Sequence, residues 1–150
     1  MSLSIKQILK RIEEFQQSHL QMKDYRYGDV TLHLADSDVK YPALFVDINP
    51  VKQDWQNKVT THTVSFWIAD LANVSNATRE NEIDVISDLT QIYGDFVLWL
   101  TSYQNQEDFV VRNITDGTYI LNGNEDAAII LKFDASLDVD LILSENSIPQ

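Results

Sequence analysis

From Ile129 to Leu143 apolar and polar residues alternate without a break. Ile129, Leu131, Phe133, Ala135, Leu137, Val139, Leu141 and Leu143 share one parity. Ile130, Lys132, Asp134, Ser136, Asp138, Asp140 and Ile142 share the other. A period of two identifies an extended strand, because successive side chains then point to opposite sides. The run is well above the usual five or six residues or so. A strand this long with one wholly apolar face needs partner strands beside it and a layer packed over it, and the rest of the chain must supply both.

Several segments qualify as partners. Tyr41–Ile48 (Tyr-Pro-Ala-Leu-Phe-Val-Asp-Ile) is apolar at both parities, which predicts a strand covered on each side. Asn49-Pro50 is expected to stop it, leaving residues 50–58 as a polar loop that carries Trp55. Alternation returns from Val59 to Ala69, with His62, Val64, Phe66 and Ile68 on one face and Thr61, Thr63, Ser65 and Trp67 on the other. A hairpin with a long loop joins these two strands most simply. Val30, Leu32 and Leu34 mark another half-buried strand, after a connection over residues 21–28. Near the end, Phe109–Ile114 reads as a strand, and Asp116-Gly117 predicts a hairpin returning through Tyr119–Leu121.

Two helices supply the covering layer. In residues 3–20, Ile5, Ile8, Leu9, Ile12 and Phe15 recur at helical spacing, with Ser2 or Ser4 as the cap. The second begins near Glu80, Glu82 and Asp84, whose charges suit the positive end of a helix dipole. Ser75, Asn76 or Thr78 would cap it. Its apolar face is Ile83, Ile86, Leu89, Ile92, Tyr93, Phe96, Val97 and Leu100, widened by Val85 and Trp99. The expected fold class is α+β: one domain over residues 1–150, a mainly antiparallel sheet with an N-terminal helix and a long central helix packed on it. Residues 144–150 read as a loose tail.

Little in the chain points to a reaction. No cysteine is present among the 150 residues, which excludes disulfides and thiolate metal sites. His19, His33 and His62 are far apart and none has a ligand neighbour at helical or hairpin spacing, so neither a metal site nor a catalytic residue is expected. Glycine-rich phosphate loops and a nucleophile elbow are absent, and no cofactor is implied. Asn122, Asn124 and Asp126 alternate like a calcium loop, but the glycine and distal glutamate of that pattern are misplaced, and a tight turn is expected instead. The beginning lacks a basic flank and long apolar run, and no stretch approaches the ~20 apolar residues of a membrane helix. Twenty-three acids against eleven bases give a net charge of −12, a field that opposes nonspecific binding of nucleic acid. Asp134, Asp138 and Asp140 gather part of that charge on one strand face.

The segments Tyr41-Pro42-Ala43-Leu44-Phe45-Val46-Asp47, Trp67-Ile68-Ala69-Asp70-Leu71 and Glu82-Ile83-Asp84-Val85-Ile86-Ser87-Asp88 carry a family resemblance. In their order and wording they resemble the tail-terminator, tail-completion and neck-ring (head–tail connector) proteins of bacteriophages, above all the crAss-like phages of Bacteroidales. The resemblance covers residues 3–100. It implies a small α/β domain, localised to the virion neck or tail after synthesis in the bacterial cytoplasm. It also implies a homo-oligomeric ring of six or twelve copies that contacts neighbouring neck, connector or tail proteins. DNA would pass through without specific binding, and no membrane is involved. Terminator, completion and connector levels all remain open. On this reading Asp134, Asp138 and Asp140 are candidates to line the channel, and Trp55 and Trp67 are candidates for subunit contact. A different class of reading, a small acidic DNA mimic that inhibits a nucleic-acid-binding partner, rests on the charge alone. A small hydrolase would need a convergent polar pocket.

Overall fold

The computed structural model describes residues 4–28, 38–71, 80–102, 110–121 and 128–140. Along the chain these form α1 (Ile5–Ser18), β1 (Asp24–Tyr27), β2 (Ala43–Asp54), β3 (Val59–Leu71), α2 (Glu80–Leu100), β4 (Val110–Arg112), β5 (Thr118–Leu121) and β6 (Ala128–Asp140). The expected strand at residues 30–34, the turn at 122–126, the cap of the second helix and the tail at 144–150 lie outside the described residues. The strands make one sheet in the order β1-β2-β3-β6-β4, with β5 also paired to β6. Only β1–β2 is parallel among the described pairs. The fold is α+β, a mostly antiparallel six-stranded sheet with two described helices.

The long alternation at the end of the chain is satisfied by β3. Val59–Leu71 and Ala128–Asp140 pair residue for residue without a register shift. Val64, Phe66 and Ile68 thereby stand beside Ala135, Phe133 and Leu131, and this shared face receives both helices. An aromatic cluster joins the layers. Phe66 and Phe133 stack at 4.9 Å between ring centroids, and Phe96 of α2 meets Phe66 edge-on at 4.9 Å. Phe15 of α1 then packs on Phe96 at 5.2 Å and on Trp99 at 4.9 Å. Ser4 caps α1 through a reciprocal box: its side chain accepts from the Gln7 amide, and the Gln7 side chain accepts from the Ser4 amide.

Four expectations need correction. Asn49-Pro50 does not end β2, which runs to Asp54. The register slips between Pro50 and Lys52, so the proline sits at an irregularity where its missing N–H is tolerated. Residues 55–58 are therefore a four-residue turn rather than a long loop. The stretch 21–28 contains β1, whose Tyr25 and Tyr27 alternate with Asp24 and Arg26. Asp116-Gly117 makes no hairpin: β4 and β5 both run antiparallel to β6 and lie end to end along it. Between them the Thr115 amide donates to the Asp134 carbonyl (2.9 Å), and the Asp134 amide donates to Thr115 Oγ1 (2.8 Å). Gly117 serves close approach there, since a Cβ on it would lie 2.9 Å from Leu131 Cδ1. Finally, Ile83 is 67% exposed, so the buried stripe of α2 starts at Val85.

Phe96 is fully buried at the centre of this packing. Phe96→Ala is expected to lower stability by about 3–5 kcal/mol. Ile83→Ala, at an exposed site of the same helix, should stay within about 0.5 kcal/mol. Urea denaturation of the two variants checks the difference.

Candidate functional site

The sheet face turned away from both helices carries the chemistry the sequence singled out. At the end near β1 it is apolar, where Ala43, Phe45, Trp67, Ala69 and Ile130 form a second cluster with Val39. Towards the β2–β3 turn it becomes polar. Asp47, Ser65 and Asp134 make one cross-strand row, and Asn49, Thr63, Ser136 and Arg112 make the next. Thr61 and Asp138 are partners in a third.

Of the three singled-out aspartates, Asp138 and Asp134 meet different environments. Asp138 is clamped: Arg112 of β4 contacts its Oδ2 at 2.6 Å, and Thr61 Oγ1 donates to its Oδ1 at 2.8 Å. Its side chain is only 17% exposed, so much of its charge is answered within the fold. Asp134 is half-buried, and its Oδ1 is enclosed with no hydrogen-bond partner among the described residues. Asp140 pairs with Val59 at the far end of the strand, on the same parity as the other two. Sequence reasoning missed Arg112 and Thr61 because the residues that meet Asp138 are set by strand register across long sequence separations.

The two tryptophans separate cleanly. Trp67 is 8% exposed, inside the second cluster, with the Lys132 ammonium 5.6 Å from its ring centroid. Most of its surface is covered by its own chain. Trp55 is 68% exposed on the β2–β3 turn. That turn is well ordered chemically: Asp54 accepts from the Asn57 amide (3.1 Å) and from Asn57 Nδ2 (2.7 Å). These bonds hold the Asp54 carboxyl below its usual range. Lys58 closes the turn at φ 54°, in the left-handed region.

A cleft of about 330 Å³ lies where residues 115–120 cross β6. Asp116, Thr118, Ile120, Lys132 and Asp134 line it, and the last four share the parity of the polar face. No motif marks it in the sequence, because it arises from the break between β4 and β5.

The remaining titratable groups serve the fold. The Gln21 amide donates to His19 Nδ1, which leaves Nε2 to donate to Asp95 at 3.0 Å, tying α1 to α2. His62 lies on the helix face, and burial pushes its pKa below 6.5. His33 lies outside the described residues. Burial also pushes the Asp70 carboxyl above 3.8; Asp88 adds to this, while the Leu71 amide and Lys23 oppose it. Among the described residues no three His, Asp or Glu side chains are placed to hold a metal ion, and no helix is long and apolar enough to cross a membrane. Comparison with protein-family models gives no match, and comparison with curated proteins gives none either.

Asp70 supports a pH experiment. A carboxyl whose folded pKa is raised stabilises the fold below its unfolded value near 3.8, and that contribution is lost as pH rises through the folded value. Asp70→Asn should therefore raise the urea midpoint at pH 7, and the gain should shrink as pH falls towards 4. An equal gain at both pH values would contradict the assignment.

Proposed function

We propose that this protein is a noncatalytic structural component of a phage virion, assembling as a ring of six or twelve copies around the DNA channel. It would sit at the head–tail junction or within the tail barrel and join neck to tail. Two of the three segments that resemble phage neck and tail proteins run through the core: Ala43–Val46 are fully buried in β2, and Trp67–Ala69 are buried in β3. The observation that carries the reading is the segregation of the sheet's two faces. The helices take one face, while Asp47, Asp134 and Asp138 share the other. In a ring that turns this second face inwards, a duplex is repelled over roughly a Debye length, about 8 Å at physiological salt. DNA then passes without the phosphate contacts that would hold it.

A DNA mimic would need its acids displayed as an uninterrupted array. Here Arg112 answers Asp138, Arg26 lies 3.3 Å from Asp24, and Lys132 stands on the same face. The ring reading needs no such array.

Native mass spectrometry of the purified protein, with electron microscopy of particles, tests the proposal. The expected outcome is a closed ring of six or twelve at one level of the neck or tail. A protein monomeric both alone and inside particles would overturn it. An Asp47/Asp140→Asn variant should assemble normally yet release DNA more slowly at low salt. Unchanged release would remove the channel role of the acidic face.

A further inference from the structure

We infer that copies of this chain join head to tail, with Trp55 on the β2–β3 turn of one copy seated in the cleft between β5 and β6 of the next. This inference rests on the ring reading and assigns it a contact.

Three observations support it. First, Trp55 is a large apolar side chain, 68% exposed, on a turn held by two hydrogen bonds between Asp54 and Asn57. A preordered aromatic loses little conformational freedom on docking, which is why tryptophan is enriched at interface hot spots. Second, the cleft volume of about 330 Å³ is sufficient for one indole, and Ile120 offers it an apolar wall. Third, the charges complement each other. Exposed Lys52 and Lys58 outnumber Asp54 around Trp55, so the turn carries a small positive excess within a chain of net charge −12. In the cleft Asp116 and Asp134 outnumber Lys132, and Asp134 lacks a partner for Oδ1 among the described residues. The indole N–H and the two ammonium groups supply further donors to these carboxylates.

Geometry excludes the intramolecular alternative. The turn meets β6 at Asp140, whereas the cleft lies at Lys132 and Asp134. That separation is roughly 20–26 Å along the strand at about 3.3 Å per residue. Knob and hole thus belong to different patches of one subunit, so the contact runs head to tail. Such contacts close into rings when the rotation between copies permits. A reciprocal two-fold pair would instead stop a disulfide ladder at a dimer and overturn the ring assignment.

The absence of cysteine allows a direct test. Gln56 and Thr118 are exposed positions on the turn and at the cleft rim. A Gln56→Cys/Thr118→Cys variant, oxidised at high protein concentration, should form a covalent ladder that ends at the ring size. Mixed single variants should give only the heterodimer, and adding Trp55→Ala to the double variant should suppress the ladder. Trp55→Ala alone should shift self-association to roughly thirtyfold higher concentration without altering the urea midpoint. No disulfide between positions 56 and 118 overturns the contact, as does a dimer formed by Gln56→Cys alone, which would mean tip-to-tip pairing. Rings seen by native mass spectrometry without that disulfide would refute the contact and leave the ring reading intact. The disulfide ladder without a ring in particles would do the reverse.

Discussion

The unbroken pairing of β3 with β6 is the constraint from which the rest of the molecule follows. Each strand contributes thirteen residues, and no register shift intervenes. Side chains alternate strictly along a strand, so a slip of one residue would exchange the faces. Phe66 would then share its face with Asp134, or Phe133 with Ser65, and one of the two rings would face away from α2. The stacked Phe66–Phe133 pair is the contact most sensitive to this choice, and Phe96 reads it from above. Both helices are seated through Phe96, α2 directly and α1 through Phe15. The position of the helical layer is therefore a consequence of strand register.

The same register governs how acid is distributed on the other face. Across from Asp134 stands Ser65, and across from Asp138 stands Thr61. Like charges directly opposite would destabilise the pair, and here small hydroxyl residues take those places. Asp47 and Asp134 flank Ser65 two strands apart. At about 4.8 Å per strand they are roughly 10 Å apart, close to one Debye length. The face can thus carry acid without strong mutual repulsion. Asp138, whose side chain is only 17% exposed, is met by an arginine.

What could be read from the sequence was whatever repeats with a local period. Both helices, β3, β6 and the two-sided burial of Ala43–Val46 have that character. The polar parity of Asp134 and Asp138 was legible for the same reason. Features that depend on what lies across the sheet were not. Arg112 is unremarkable until β4 is laid beside Ser136 and Asp138. Pro50 signals a strand end locally, yet a shifted register lets β2 continue past it. Asp116-Gly117 carries a turn signal, but the glycine answers the proximity of Leu131 and Tyr93, residues far along the chain or in another layer. Ile83 fits the helical period and is still exposed, because the described core begins two positions later on α2, at Val85.

The broken edge of the sheet bears on how copies can meet. A strand running unbroken beside β6 would expose a continuous row of amide and carbonyl groups, a template for another chain. Instead β4 and β5 cover only Ser136–Asp138 and Ile129–Lys132, and residues 113–117 leave the regular ladder between them. Asn113 takes a left-handed conformation, φ 54°, as the chain departs. This interruption blunts backbone pairing along that edge, and it opens the cleft at Asp134 in the same stroke. At the other edge β1 is only four residues long, and the neighbouring β2 carries Pro50 and a register slip where β1 no longer covers it. Both edges are thus poor templates for strand addition. Association then falls to side chains on defined features, and the exposed Trp55 and the cleft are the pair whose size and charge agree.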